Sequence, residues 1–220
     1  MSGVMQAMVF TAGPNIAEYF RAAGTKAPTL GSGGASWTPA GWTSLQNVSS
    51  DDANVTVPLA VNFTINSTTY TSTFVVSNSY LTFGSGSTAY SGLSGSSPAL
   101  NKIFFGAADN SYQRVAYISS GTDYTRIRYE GNGSTSGTLG SPGIVAEITF
   151  FNPAKTGSVQ LVELLIGNHN RTSGVFGIAS TSAYYASGTI AANQSYVFEG
   201  NLTGTSWTLN SGAFVSGTGY

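Results

Sequence analysis

The chain carries few residue types that do chemistry: one histidine, no cysteine, eight Lys or Arg and nine Asp or Glu in 220 residues. His169 follows an apolar run in Ile166-Gly167-Asn168-His169-Asn170-Arg171-Thr172, with no second His, Cys or acidic cluster nearby in sequence. Zinc takes three or four such ligands, so His169 reads as a loop or sheet-end histidine satisfied by hydrogen bonds. Ser and Asp are available for a Ser-His-Asp triad, but no G-x-S-x-G stands at a strand–helix boundary. Asn132-Gly133-Ser134-Thr135-Ser136-Gly137 lacks the Lys and following helix of a phosphate loop. A glycosidase pair would have to come from Asp109, Asp123, Glu130, Glu147, Glu163 and Glu199. Most of these have an arginine to neutralise them or stand alone in loops. Asp51-Asp52 and Asp109-Asn110 offer oxygens of the kind calcium takes; the favoured reading is turn residues making local hydrogen bonds. No catalytic residue, metal site or cofactor is assigned, and the chain is not expected to be an enzyme.

The elements around these residues read as strands. From about Leu45 onward, short β-rich runs alternate with Gly/Ser/Thr/Asn turns, the pattern of an all-β sandwich or barrel. The alternation is clearest in Tyr124-Thr125-Arg126-Ile127-Arg128-Tyr129-Glu130. Ile127 and Tyr129 fall on one face, and Arg126, Arg128 and Glu130 on the other. Glu147 lies in the run Ile144–Phe151 and Glu163 in Val159–Ile166, each among apolar residues. With these three runs as sheet neighbours, Arg126, Arg128, Glu147 and Glu163 form a structural ion cluster in which Arg128 bridges the two glutamates.

Residues 1–45 differ from the rest. Pro14–Gly24 has the marks of a short helix: Pro14 near its start, Gly24 at the C-cap, and Ile16, Tyr19, Phe20 and Ala23 on one face. Residues 25–44 form a Gly/Pro-rich loop with Trp37 and Trp42, which are expected to lie against something. Two readings stay open, a cap on the chain's own β domain and a docking arm for a neighbouring subunit. Among the loop aromatics, Tyr90, Tyr112, Tyr184 and Tyr185 stand beside small polar residues. That mixture suits protein or sugar contacts, and with the two tryptophans it marks the candidate ligand- or partner-binding residues.

Charged residues make up 8% of the chain, against about 25% in an ordinary globular domain. Soluble monomers stay dispersed through surface charge, so much of this surface is expected to be hidden in an assembly or kept wet by hydroxyls and amides. A net charge of −1 gives no basic footprint for nucleic acid and no polybasic membrane patch. No apolar run has the length of a membrane span, so membrane insertion is not expected. The start, MSGVMQAMVF, has no Lys or Arg before Arg21 and reads as a poor signal peptide. A product released without a leader is expected, as virion proteins are released by lysis.

The segment Phe63-Thr64-Ile65-Asn66-Ser67-Thr68-Thr69-Tyr70, followed by Val76-Ser77-Asn78-Ser79-Tyr80-Leu81-Thr82-Phe83-Gly84, resembles a pattern of phage and microbial surface β-sandwiches. That pattern runs roughly F-x-I-N-G-x-x-Y … S-N-G-Y-I-T-F-G; Ser67 and Ser79 stand where it has Gly. IFFGAADNSY over Ile103–Tyr112 and RIRYEG over Arg126–Gly131 likewise resemble structural proteins of tailed phages, notably those infecting cyanobacteria. The resemblance covers roughly residues 60–180. It implies a virion component and no catalytic residues.

The resulting expectation is an antiparallel, jelly-roll-like β-sandwich over 46–220, preceded by an arm or cap over 1–45 with one short helix. The expected function is a phage virion structural protein at the particle surface. A tail-fibre or baseplate part, with a role in host attachment, is favoured over head decoration. The expected partners are other virion proteins, further copies of the chain with a trimer favoured, and a host surface glycan. The alternative is a carbohydrate-binding or adhesin module outside any virion.

Overall fold

A computed structural model describes residues 38, 40–49, 51–88, 100–107, 109–110, 112–131, 143–169, 175–181, 183–184 and 194–213. These residues are all-β. In chain order the strands are β1 (Thr43–Ser49), β2 (Asn54–Ile65), β3 (Thr68–Val76), β4 (Tyr80–Thr82), β5 (Lys102–Ala107), β6 (Tyr112–Ser120) and β7 (Tyr124–Gly131). There follow β8 (Ile144–Phe151), β9 (Gln160–His169), β10 (Val175–Ser180), β11 (Ala183–Tyr184), β12 (Gln194–Gly200) and β13 (Trp207–Ala213). They form two antiparallel sheets, one ordered β1-β6-β7-β8-β9-β12-β13 and the other β11-β10-β5-β4-β3-β2. The helix expected over Pro14–Gly24 lies outside the described residues. The β structure begins at Thr43, just ahead of the 46–220 boundary.

The sheets meet face to face over one apolar core, as in a β-sandwich. Alternate residues of β2 (Val57, Leu59, Val61, Phe63, Ile65) face Ile127 and Tyr129 of β7, Ile148 and Phe150 of β8, and Leu164 of β9 within one buried cluster. Phe63 is its aromatic centre, with ring centroids 4.8 Å from Phe83, 4.9 Å from Phe150 and 5.8 Å from Trp207. The connectivity is that of meanders: β2–β5 lie side by side in one sheet and β6–β9 in the other. A jelly roll is built from Greek keys, in which a fourth strand returns beside the first. Among the described strands the chain also crosses between the sheets, so that β1 pairs β6, β10 pairs β5 and β12 pairs β9, and what these strands establish is two antiparallel sheets.

The β2–β3 hairpin turns on Asn66 (φ 51°) and Ser67 (φ 62°), the two left-handed residues of a type I′ turn. Glycine takes that conformation without a Cβ penalty. Ser67 is exposed, so Ser67→Gly is expected to leave stability unchanged or raise it by up to about 1 kcal/mol, read from urea melts. Ser79 (φ 61°) is also left-handed, but its buried hydroxyl bonds Asn110 at 2.8 Å and Tyr129 at 3.2 Å. There a glycine would remove a partner from a buried network, so Ser79→Gly is expected to destabilise.

β2 is an edge strand, and an edge with open N–H and C=O groups invites further pairing. Here the opposite sheet closes it. The Gln160 side chain accepts from Thr64 N at 2.7 Å and donates to Thr64 O at 2.8 Å, as a neighbouring strand would. Thr125 Oγ1 accepts from Ala60 N at 2.8 Å. The β12–β13 turn takes the next two donors, Asn66 N to Gly204 O at 3.2 Å and Ser67 N to Thr203 O at 2.7 Å. Residues far apart in sequence therefore stitch the two sheets along one corner.

Candidate functional site

The face of the seven-stranded sheet turned away from the core carries a charged ladder. Register sets Arg128 opposite Glu147, Arg126 opposite Thr149, Arg114 opposite Glu130, and Glu163 opposite Thr149. Arg128 binds Glu147 at 3.0 Å and Glu130 at 3.3 Å. Arg126 donates through Nε to Thr149 at 2.8 Å and lies 3.5 Å from Glu163 and 3.9 Å from Glu147. Arg114 adds a contact to Glu130 at 3.6 Å. The structure thus brings Arg126, Arg128, Glu147 and Glu163 together with one change of partner: Arg126, not Arg128, reaches Glu163. Among the described residues Arg114 and Glu130 join the group, three arginines against three glutamates. All six are buried. The described strands lie in two sheets that meet on the opposite face, so none of them covers this one.

Two carboxylates serve glycoside hydrolysis when substrate and water can reach them. Glu163 is 1% exposed and Glu147 7%, and both face arginines. These contacts brace β7, β8 and β9 against one another. Burial pushes the Glu163 carboxyl up to about 7; Arg126 pulls it back and the charge of Glu147 adds to the rise. Its Oε1 has no hydrogen-bond partner among the described residues. Folding therefore draws a proton onto Glu163. The stability this contributes is fully present below the usual glutamate value and is lost as pH rises through about 7. Over that interval the group gives a slope of about −1.4 kcal/mol per pH unit. Glu163→Gln is expected to remove this component, so that urea melts of the variant and the parent diverge systematically between pH 5 and about 8.

The other candidate residues are placed less completely. Trp42 is half-buried immediately before β1. Tyr112 starts β6 and Tyr184 ends β11; β11 lies inside a stretch that reads as loop, where its two residues pair with Ala179 and Ser180. His169 ends β9, at the sheet end. Trp37, Tyr90 and Tyr185 lie outside the described residues. Asp52 Oδ1 accepts from Asn78 Nδ2 at 3.1 Å, and Asn110 Nδ2 donates to Ser77 O and Ser79 Oγ, both at 2.8 Å. These are turn-fixing bonds. Partial burial, then the charges of Asp51 and Asp52, raise the Asp109 carboxyl. Among the described residues no group of three or more His, Asp or Glu is arranged to hold a metal ion.

A feature not foreseen is a cleft of about 480 Å³ beside the stitched corner. β2 supplies Asn62 and Thr64 and β3 supplies Thr69. The β6–β7 turn adds Thr122 and the β8–β9 loop adds Asn152 and Pro153. Leu202, 51% exposed, stands at the rim. No charged side chain among the described residues lines it. Its components come from six elements, β2, β3, the β6–β7 turn, the β8–β9 loop, β9 and the β12–β13 turn, so no local motif announces it.

Comparison of the chain with protein-family models, curated proteins and solved structures finds no match in any of the three.

Proposed function

We propose that this chain is a structural protein of a tailed-phage virion, displayed at the particle surface as a tail-fibre or baseplate part, with a role in host attachment. The observation that carries the reading is where the charge goes. Lys102, Arg114, Arg126, Arg128, Glu130, Glu147 and Glu163 are buried. The charges left at least partly exposed among the described residues are Asp51, Asp52, Asp109, Asp123, Lys155 and Glu199. Lys155 and Asp123 face each other at 3.6 Å, an exposed pair of little energetic weight. The surface of an already charge-poor chain is thus poorer still, and a free monomer relies on that charge for dispersal.

Assembly resolves this by covering hydroxyl- and amide-rich surface against other copies or virion partners. The phage-like segments over residues 60–180 support the same class. In this reading the residues ahead of β1 form the assembly arm. Purified virions from a lysate, separated on a density gradient and quantified by mass spectrometry, should contain the protein at a fixed stoichiometry to the major capsid protein. Its presence only in the soluble host fraction would defeat the proposal.

A further inference from the structure

We infer that the cleft beside β2 is a binding site for a neutral oligosaccharide, an assignment that goes beyond the virion reading and stands or falls without it. The volume, about 480 Å³, falls within the usual range of small-ligand sites, about 300–1,000 Å³. Its polar groups are hydroxyls and amides, which both donate and accept. Asn62 is exposed and its amide has no partner among the described residues. Thr64 Oγ1 and Thr69 Oγ1 bond one another at 2.9 Å and keep acceptor capacity for a third group. The apolar surface comes from Ala60, Pro153 and Leu202. Sugar rings present that combination in reverse, hydroxyls around the rim and C–H patches on the faces.

The walls are also fixed in advance. Gln160 is held by Thr64 N, Thr64 O and Asn201 O. Asn152 donates to Thr122 O at 2.6 Å and accepts from Ala154 N at 3.0 Å. A preformed wall spares the ordering cost of binding. The lining holds no cation to recognise phosphate, sulfate or uronate and no carboxylate to recognise an amine. The nearby Lys155 and Asp123 neutralise each other. The chemistry that remains is an uncharged polyhydroxylated ligand. Repetition of a modest site in an oligomer would multiply its effect by avidity.

The test uses the full chain titrated by calorimetry and amide NMR. The probes are neutral hexasaccharides (a β-glucan, a mannan and a galactan), with a galacturonic acid oligomer as the charged comparison. At least one neutral probe should bind saturably, shift the amide signals of Asn62, Thr122 and Leu202, and outcompete the charged one. Leu202→Asp should weaken it at least about tenfold with the melting temperature unchanged, and Asn62→Ala provides an independent reading if Leu202→Asp folds poorly. Failure of every neutral probe to bind, or binding that survives both substitutions, overturns the assignment. Survival combined with loss in Tyr184→Ala would place sugar recognition on the β11 loop instead. None of these outcomes depends on whether the protein is found in virions, so the two proposals fail separately.

Discussion

Replacing Arg126 with alanine is expected to destabilise the fold by about 3–5 kcal/mol, the cost of taking one partner out of a buried ion network. Arg126 is 1% exposed and stands between two carboxylates, Glu163 at 3.5 Å and Glu147 at 3.9 Å. Its removal leaves the Glu147 and Glu163 carboxyls buried side by side, with Arg128 still on Glu147. Thr149 Oγ1 loses its 2.8 Å donor as well. The loss should depend on pH in a definite direction. Arg126 holds the Glu163 carboxyl down against burial, so without it the proton binds more tightly. The variant recovers stability as pH falls and Glu163 becomes neutral. Urea melts should therefore show a larger deficit at pH 8 than at pH 5.5. A pair of leucines at 126 and 163 should restore much of the stability, because a well-packed apolar pair replaces a buried ion pair at little or no net cost. An Arg126→Ala variant as stable as the parent at pH 8 would mean that the ladder is not the brace described above.

Gly204→Ala should cost on the order of 3 kcal/mol, from a substitution that adds one methyl group on a surface turn. Gly204 has φ 63°, a left-handed conformation that costs about 1–2 kcal/mol for a residue with a Cβ. A Cβ there would stand 2.1 Å from Thr64 O and 2.7 Å from Ile65 Cα. Both are backbone atoms of β2, so no side chain can swing aside. The turn has to lift, which breaks Asn66 N to Gly204 O and Ser67 N to Thr203 O and loosens the corner that forms the cleft. Thermal unfolding should show the lowered midpoint. Hydrogen exchange should show lost protection at Asn66 and Ser67. A variant with unchanged protection at those two amides would remove the β12–β13 turn from the account of how β2 is closed.

How much of this was legible in the sequence depends on the range of each interaction. The strands were visible because alternation is local: Ile127 and Tyr129 face the core and Arg126 and Arg128 face away, as a period of two requires. Arg126, Arg128, Glu147 and Glu163 followed from the same alternation, whereas Arg114 carried no local sign of its place beside Glu130. Their pairing did not, because the β8–β9 loop sets which residue of β9 meets which of β8. The register brings Glu163 opposite Thr149, one diagonal step from the Arg128 partner read from sequence. Connectivity escaped for a related reason. A Gly/Ser-rich loop looks alike whether it returns to the same sheet or crosses to the other. The contact between Gln160 and Thr64 spans 96 positions, and neither residue carries a local signature of it. The two serines are the instructive case: Ser67 and Ser79 hold the left-handed geometry that glycine takes without a Cβ penalty.

The central claim is that this neutral surface belongs to an assembly. The most direct test is the absolute mass of the purified protein by light scattering, with and without residues 1–42, which precede β1. The account predicts a stable oligomer, a trimer by preference, for the full chain, and a folded monomer once the arm is removed. A monomer at every concentration in both forms would contradict it and leave a free-standing binding module in its place.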